Sequence, residues 1–424
     1  MCNPSAEISA FLTSIDMHPA QTDVGAFTKA FLAEMDAGLG GESSSLKMIP
    51  TYVSADGTPE NGVPVIAIDA GGTNLRVALV EFQNGRPVVL RERKSPMPGS
   101  RGEVSAEAFF AELADEVKPF TEESDRIGFC FSYPAVIFPD GDGQVICLTK
   151  EVRVSGIEGR MIGRSLLRKL GEKGVKKDLT LTILNDTAAS LLGGMATLGL
   201  DRAGGIAGLI LGTGCNTCYA ERGVRIKKLH GAENMIVNCE SGNFSRAFRG
   251  RADEMVDKAS ENPGAYRFEK MLSGVYLGRV ITCEAQLAAR EGLLSAAFRD
   301  GVTPFTAPEL DDFLRGRENR VAALCKEADR KALTQLIDLS FERAGKLVCA
   351  NILALCLHCD GGKTAAHPFS VVAEGSTFYK SLLLRDKLKG YMKSVAEETY
   401  GRQIVFCRAE NATLTGAAFA ALTR

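Results

Sequence analysis

The chain has 424 residues, 45% hydrophobic and 24% charged, with a formal net charge of −2. That length supports a large core split between more than one domain, and the near-neutral balance excludes the basic surface with which nucleic-acid binders meet phosphate backbones. The 12 cysteines, spread from Cys2 to Cys407 in a chain too long to need stapling, fit a reducing cytoplasm, and neither a signal peptide in "MCNPSAEISAFLTS" nor an apolar run of membrane-spanning length is found.

Residues 22–37 carry Phe27, Phe31 and Met35 at a spacing of four, which predicts an amphipathic helix, and the breaker-rich "GLGGESSS" follows. An extended "MIPTYVS" closes the first 60 residues. From Val65 the pattern becomes α/β. "VIAIDAGGTNLRVALVEF" predicts strand, glycine turn, strand, and "RPVVLRERK" a third strand. "EAFFAELADEVKPF" predicts a helix, and "IGFCFSY" and "LTILND" two more strands. "GLILGTGCNTCYAE" at 208–221 repeats the opening device about 140 residues later, which suggests two related halves. Residues 251–300 and 317–358 have a helical pattern. "FSVVAEGS" reads as a strand running into a turn, and the tail as the strand "QIVFCRA" and the helix "TLTGAAFAALT".

Glycines let backbone amides converge without Cβ obstruction, so both glycine turns are candidate phosphate cradles. Neither matches a motif that enters a helix, and an extended run follows each, so each is expected to be a β-hairpin. Asp69 ends an apolar strand, where a carboxylate is costly unless it is paired, hydrated or bound to a cation; beside a phosphate cradle, a magnesium role suits it. In "LTILNDTAAS", Asn185 and Asp186 end another apolar strand, and Asp186 reads equally as the N-cap of the next helix or as a functional carboxylate. Cys215 and Cys218, and Cys356 and Cys359 around His358, are spaced C-x-x-C, but their apolar settings favour buried small hydrophobes over zinc ligands. His18, His230 and His367 have no evident catalytic partner.

Taken in order, these elements resemble the eukaryotic-type hexokinase and glucokinase family. The likeness runs through "LKMIPTYVS", the hairpin at 69–76, "GFCFSYP", "CLTKEVRVSGIEG", "LNDTAAS", "LILGTGCNTCYAE", "MIVNCESGNF" and "ASENPGAYRFEKMLSGVYLG". The resemblance implies the two-lobed actin-like ATPase (ribonuclease H-like) fold with a central cleft, and an ATP- and Mg²⁺-dependent hexokinase acting on glucose and related hexoses. It gives Asp186 the role of general base toward the sugar's 6-hydroxyl, with Lys150 as a catalytic partner. Ser132, Thr149, Lys150, Asn185, Glu240 and Glu269 join Asp186 as sugar contacts, a set of donors and acceptors suited to a polyhydroxylated ligand. Gly71, Gly72, Thr73, Gly212, Thr213 and Gly214 become the phosphate cradle, with Asn74 and Asn216 nearby. Arg76 orients the triphosphate, Asp69 holds the metal, and Gly375, Ser376 and Thr377 lie on the adenosine side.

Three departures stand out. Ser241 follows Glu240 where the family carries tryptophan, and the chain has no tryptophan at all. Glu374 replaces an aspartate, and "NATLTGAA" replaces the more usual Gly-Ser-Gly approach to the last helix. The lobes are expected at 65–185 (small, taking back the helix at 409–424) and at 186–408 (large, joined by 1–64). Hexose and ATP are the expected partners, without nucleic acid or membrane, in a monomer or homodimer. The alternatives are a kinase narrowed to fructose, mannose or glucosamine, and a catalytically silent sugar-binding regulator.

Overall fold

The computed structural model describes residues 4–148, 152–200, 204–299 and 301–424. Two sheets organise the chain, and they share one plan. In the first, Thr180–Leu184, Arg126–Phe131 and Val65–Gly71 run parallel, and Asn74–Gln83 and Arg86–Pro96 continue the sheet antiparallel. In the second, Ile404–Cys407, Phe369–Glu374 and Ile206–Leu211 run parallel. Cys215–Glu221, Met235–Asn238 and the short Ile49–Pro50 continue it antiparallel. Both glycine turns are the hairpins that the sequence predicts: Gly71 pairs with Asn74, and Leu211 with Cys215.

Two helices link the sheets. Asp186–Leu198 packs on the second sheet, and Ala412–Thr423 packs both on that helix and on the parallel strands of the first sheet. The close approach rests on small residues: a Cβ at Gly416 would collide with the Ala189 carbonyl, so only glycine lets these backbones meet. The last helix therefore lies at the seam, joining the first sheet to the helix that covers the second.

The N-terminal segment joins the second sheet's half through Ile49–Pro50 and through helices Pro4–Ser14 and Val24–Gly40, which pack on the long helix Glu327–His358. Asp23 caps Val24–Gly40 by accepting from the Ala26 amide, and Gly41 ends it at φ 82°. Phe27 and Phe31 stand on its inner face against Phe244 and Phe268, with ring centroids 4.8 to 5.3 Å apart across the interface. Burying each such ring contributes about 1.5–3 kcal/mol. Phe244 lies four residues after Glu240, and Phe268 directly precedes Glu269, so this aromatic cluster anchors two carboxylates of the site.

Pro4–Ser14 and Ile162–Glu172 are helices that the sequence patterns do not single out. Cys215, Cys218 and Cys356 are buried and Cys359 half-buried, all as free thiols. His358 is buried against Glu221 and Tyr219, in a core contact away from the cleft. Among the described residues, no helix is long and apolar enough to cross a membrane.

Candidate active site

A cleft of about 1020 Å³ lies where both hairpins and both linking helices converge. Asp69, Gly71, Gly72, Arg76, Ser132, Asp186, Thr213, Gly214, Asn216, Glu240, Glu269 and Gly375 all line it, although they come from segments more than 300 residues apart. A smaller pocket of about 200 Å³ opens off it and shares Ser132, Asp186, Asn216 and Glu240 with it, adding Asn185 and Asn238.

Asn185 and Asp186 divide the work at the start of their helix. Asn185 is the N-cap, its Oδ1 accepting from the Ala188 amide at 3.0 Å. Asp186 is thereby released from capping and turned to the cleft. Its Oδ1 accepts from the Thr187 amide (2.7 Å) and hydroxyl (3.2 Å). Desolvation raises its pKa to about 6, against the lowering effect of the Thr187 hydrogen bonds, and the charges of Glu240 and Asp69 push in the same direction as burial. A carboxylate so placed is a stronger base than an exposed aspartate and is still ionised at neutral pH.

Glu240 sits in the left-handed region at φ 54°, ψ 48°, which for a non-glycine residue is strained by about 1–3 kcal/mol. Asn238 and Asn216 hold it there, donating to Oε1 at 2.8 and 3.3 Å. Glu269 accepts from the Cys215 amide at 2.9 Å, and burial raises its pKa. Asn216, expected near the phosphate cradle, lines the cleft with Thr213 and Gly214 and also ties together the residues around Glu240. Its Nδ2 also reaches Thr187 (3.1 Å) and Asn238 (2.9 Å), and its Oδ1 accepts from the Thr217 and Ser241 amides. The alternation along its strand sends this side chain to the carboxylate side.

The opposite end of the cleft is made of backbone. Tyr133 donates to the Gly72 carbonyl at 2.6 Å and so braces the first hairpin. Thr73 and Asn74 form its exposed tip and are not among the lining residues. Gly212 is buried: its carbonyl accepts from the Thr377 hydroxyl (2.9 Å) and the Gly274 amide (2.7 Å). Thr377 thus has its hydroxyl engaged in locking the loop, while Ser376 lines an adjoining recess of about 420 Å³ with Thr213. Gly375 has φ 113°, and a Cβ there would strike the Leu211 carbonyl.

Asp69 accepts from the Thr413 hydroxyl at 2.7 Å and lies 3.9 Å from Arg76, and burial raises its pKa. Arg76 is itself held, donating to Glu92 at 2.6 Å and to Asn411 at 2.5 Å. Thr149 and Lys150 lie outside the described residues. Tyr133, Tyr266, Arg408 and Thr413 also line the cleft; no local pattern gives them a role there, although Tyr133, Tyr266 and Thr413 lie in segments set beside the family above.

Comparison with known proteins decides the family. A hexokinase family model matches residues 206–423 and a second matches residues 8–196. Hexokinase-1 from Schizosaccharomyces pombe is 30% identical over 92% of this chain and 85% of its own length. The chain belongs to the hexokinase family. Membership makes it an ATP-dependent hexose kinase. Another relative of the hexokinase family, Hexokinase-2 from Saccharomyces cerevisiae, is 28% identical over 89% of the chain and 83% of its own length. The fold agrees: a hexokinase from Schistosoma mansoni solved with glucose superposes with a TM-score of 0.78 at 20% identity, covering all of both chains. A further hexokinase crystal structure gives 0.81 at 23% identity over 99% of each chain. The two sheets described above are therefore the two lobes of the actin-like sugar-kinase fold.

Proposed function

We propose that the chain transfers the γ-phosphoryl group of Mg-ATP to the 6-hydroxyl of glucose, with Asp186 as the general base. One observation carries this reading: Asp186, Glu240 and Glu269 line the same cleft as the two glycine hairpins, so a sugar hydroxyl and a phosphate chain can meet over a buried carboxylate. Phosphoryl transfer needs alignment and charge stabilisation more than covalent chemistry. Ser132, Asn185, Glu240 and Glu269 would orient the sugar, Asp186 would take its proton as the oxygen attacks, and the hairpin amides would hold the donor. Thr149 and Lys150 complete the proposed sugar set.

Asp69 fits a magnesium ion: it is a hard oxygen donor lining the cleft beside the glycine turn, with its side chain 14% exposed. Among the described residues no cluster of three His, Cys, Asp or Glu is arranged around a metal position. Asp69 would accordingly supply one ligand, with phosphate oxygens and water supplying the rest. Bound there, the ion would neutralise phosphate charge. The cytoplasm suits the reading, because the described cysteines are free thiols.

A narrower sugar range is the second reading, favoured by the pocket wall. Ser241, beside Glu240 where the family carries tryptophan, is buried with its hydroxyl against the Cys215 thiol, and Tyr266 lines both cavities beside Glu240. Initial rates with Mg-ATP and glucose, fructose, mannose, glucosamine or no sugar test both readings. Sugar-dependent ADP formation is the expected result, with glucose among the best substrates. ADP formation independent of sugar would contradict the kinase, and glucose inert beside an active second hexose would move the assignment to the narrower reading.

A further inference from the structure

Among the described residues, the cleft is lined by six carboxylates and two guanidinium groups, Arg76 and Arg408. A polyanionic donor entering such a surface needs a cation that is not already neutralised. Arg76 is not that cation, since Glu92, Asn411 and Asp69 surround it. Arg408 forms no ion pair within 4.0 Å among the described residues, although it feels the charge of Glu374.

Arg408 is nonetheless held in place. Its guanidinium carbon lies 4.7 Å from the centroid of the Tyr379 ring, a cation–π seat. The Tyr379 hydroxyl donates to the Ala373 carbonyl at 2.8 Å and reaches the Cys407 carbonyl at 3.3 Å, so the ring is pinned to the ends of two neighbouring strands. Those strands, Phe369–Glu374 and Ile404–Cys407, run parallel with Val372 opposite Cys407, and Arg408 directly follows the second. Ligands of open α/β sheets bind at these carboxyl ends. Gly375, one residue past the first strand's end, meets Gly212 of the second hairpin at Cβ distance, so Arg408 stands beside the proposed donor loop. A guanidinium stacked on one face keeps its N–H edge available for paired hydrogen bonds to phosphate oxygens.

We propose that Arg408 is a phosphate-binding residue for the nucleoside triphosphate donor, supplying the cationic contact that the glycine hairpins lack. The proposal rests on the phosphoryl-transfer reading above. Its test uses the full chain with Arg408→Ala and Arg408→Lys, varying ATP and glucose separately and measuring inhibition by MgADP and by adenosine. The expected result is an ATP KM raised about tenfold in Arg408→Ala and partly restored in Arg408→Lys, with the glucose KM changed by less than about twofold. MgADP affinity should fall with that of ATP, while adenosine affinity stays constant. An ATP KM within about twofold of the wild type, or an equal loss for adenosine, would overturn the phosphate role. A wild type that neither phosphorylates glucose nor binds MgADP would instead overturn the underlying reading and this proposal with it. Arg408 is exposed, so both variants are expected to fold, and matching thermal melts would verify this.

Discussion

The two ends of the cleft are built from different materials. At the proposed sugar end, side chains do the work: Asn216 and Asn238 fix Glu240, the Cys215 amide fixes Glu269, and Thr187 fixes Asp186. At the proposed phosphate end, the main chain does it, through two hairpins and a loop at Gly375 that no Cβ can enter. Selective recognition of a neutral, hydroxyl-rich ligand requires directional side-chain partners, whereas phosphate oxygens accept amides from any residue small enough to expose them. The sugar end should therefore be sensitive to functional-group changes that keep volume, and the hairpins and the Gly375 loop of the phosphate end to added volume, with Arg408 as the proposed side-chain contact there.

Asp186→Asn tests the sharpest edge of that contrast. It preserves shape and removes the base, so kcat should fall by about 10²–10⁴-fold with sugar affinity changed little. Loss of sugar binding with kcat retained would assign Asp186 to binding instead. Gly375→Ala tests the other end: the collision with Leu211 and the φ of 113° should cost more than about 2 kcal/mol of stability and raise the ATP KM. A melting curve and donor kinetics check it, and a variant as stable as the wild type would show that the loop yields.

Glu240→Gln keeps volume but removes the charge that Glu240 presents to the proposed sugar site. A hydrogen bond to a charged group contributes about 1.5–3 kcal/mol, so the glucose KM should rise by about 10–100-fold with the ATP KM unchanged. Asn216→Ala is expected to be the mildest, raising the glucose KM by about three- to tenfold through the loosened Glu240. If it raised the ATP KM instead, Asn216 would belong to the phosphate end after all, and the division drawn here would fail.

The sequence made the phosphate end legible because that end is local. Asp69, Gly71 and Gly72, or Gly212 through Gly214, are contiguous, and an apolar strand running into glycines announces a hairpin without any tertiary knowledge. Glu240 and Glu269 carry no such mark; only a resemblance across separated segments joins them to Asp186. The capping ambiguity at Asn185 and Asp186 was resolved by backbone geometry at the helix start, which no residue type dictates. Arg408 and Thr413 reach the cleft because the last strand adds parallel to Phe369–Glu374 and the last helix returns to the seam, consequences of topology that chain order conceals.

The central claim is that Asp186 acts as a base whose burial raises its pKa to about 6. The pH dependence of kcat/KM for glucose, in the wild type and in the residual activity of Asp186→Asn, tests it most directly. Because the base must be deprotonated to act, the wild-type rate should be flat above about pH 7 and fall about tenfold per pH unit below about pH 6. That acid limb should disappear in Asp186→Asn. A limb that persists in the variant, or a wild-type rate constant from pH 5 to 8, would contradict the account.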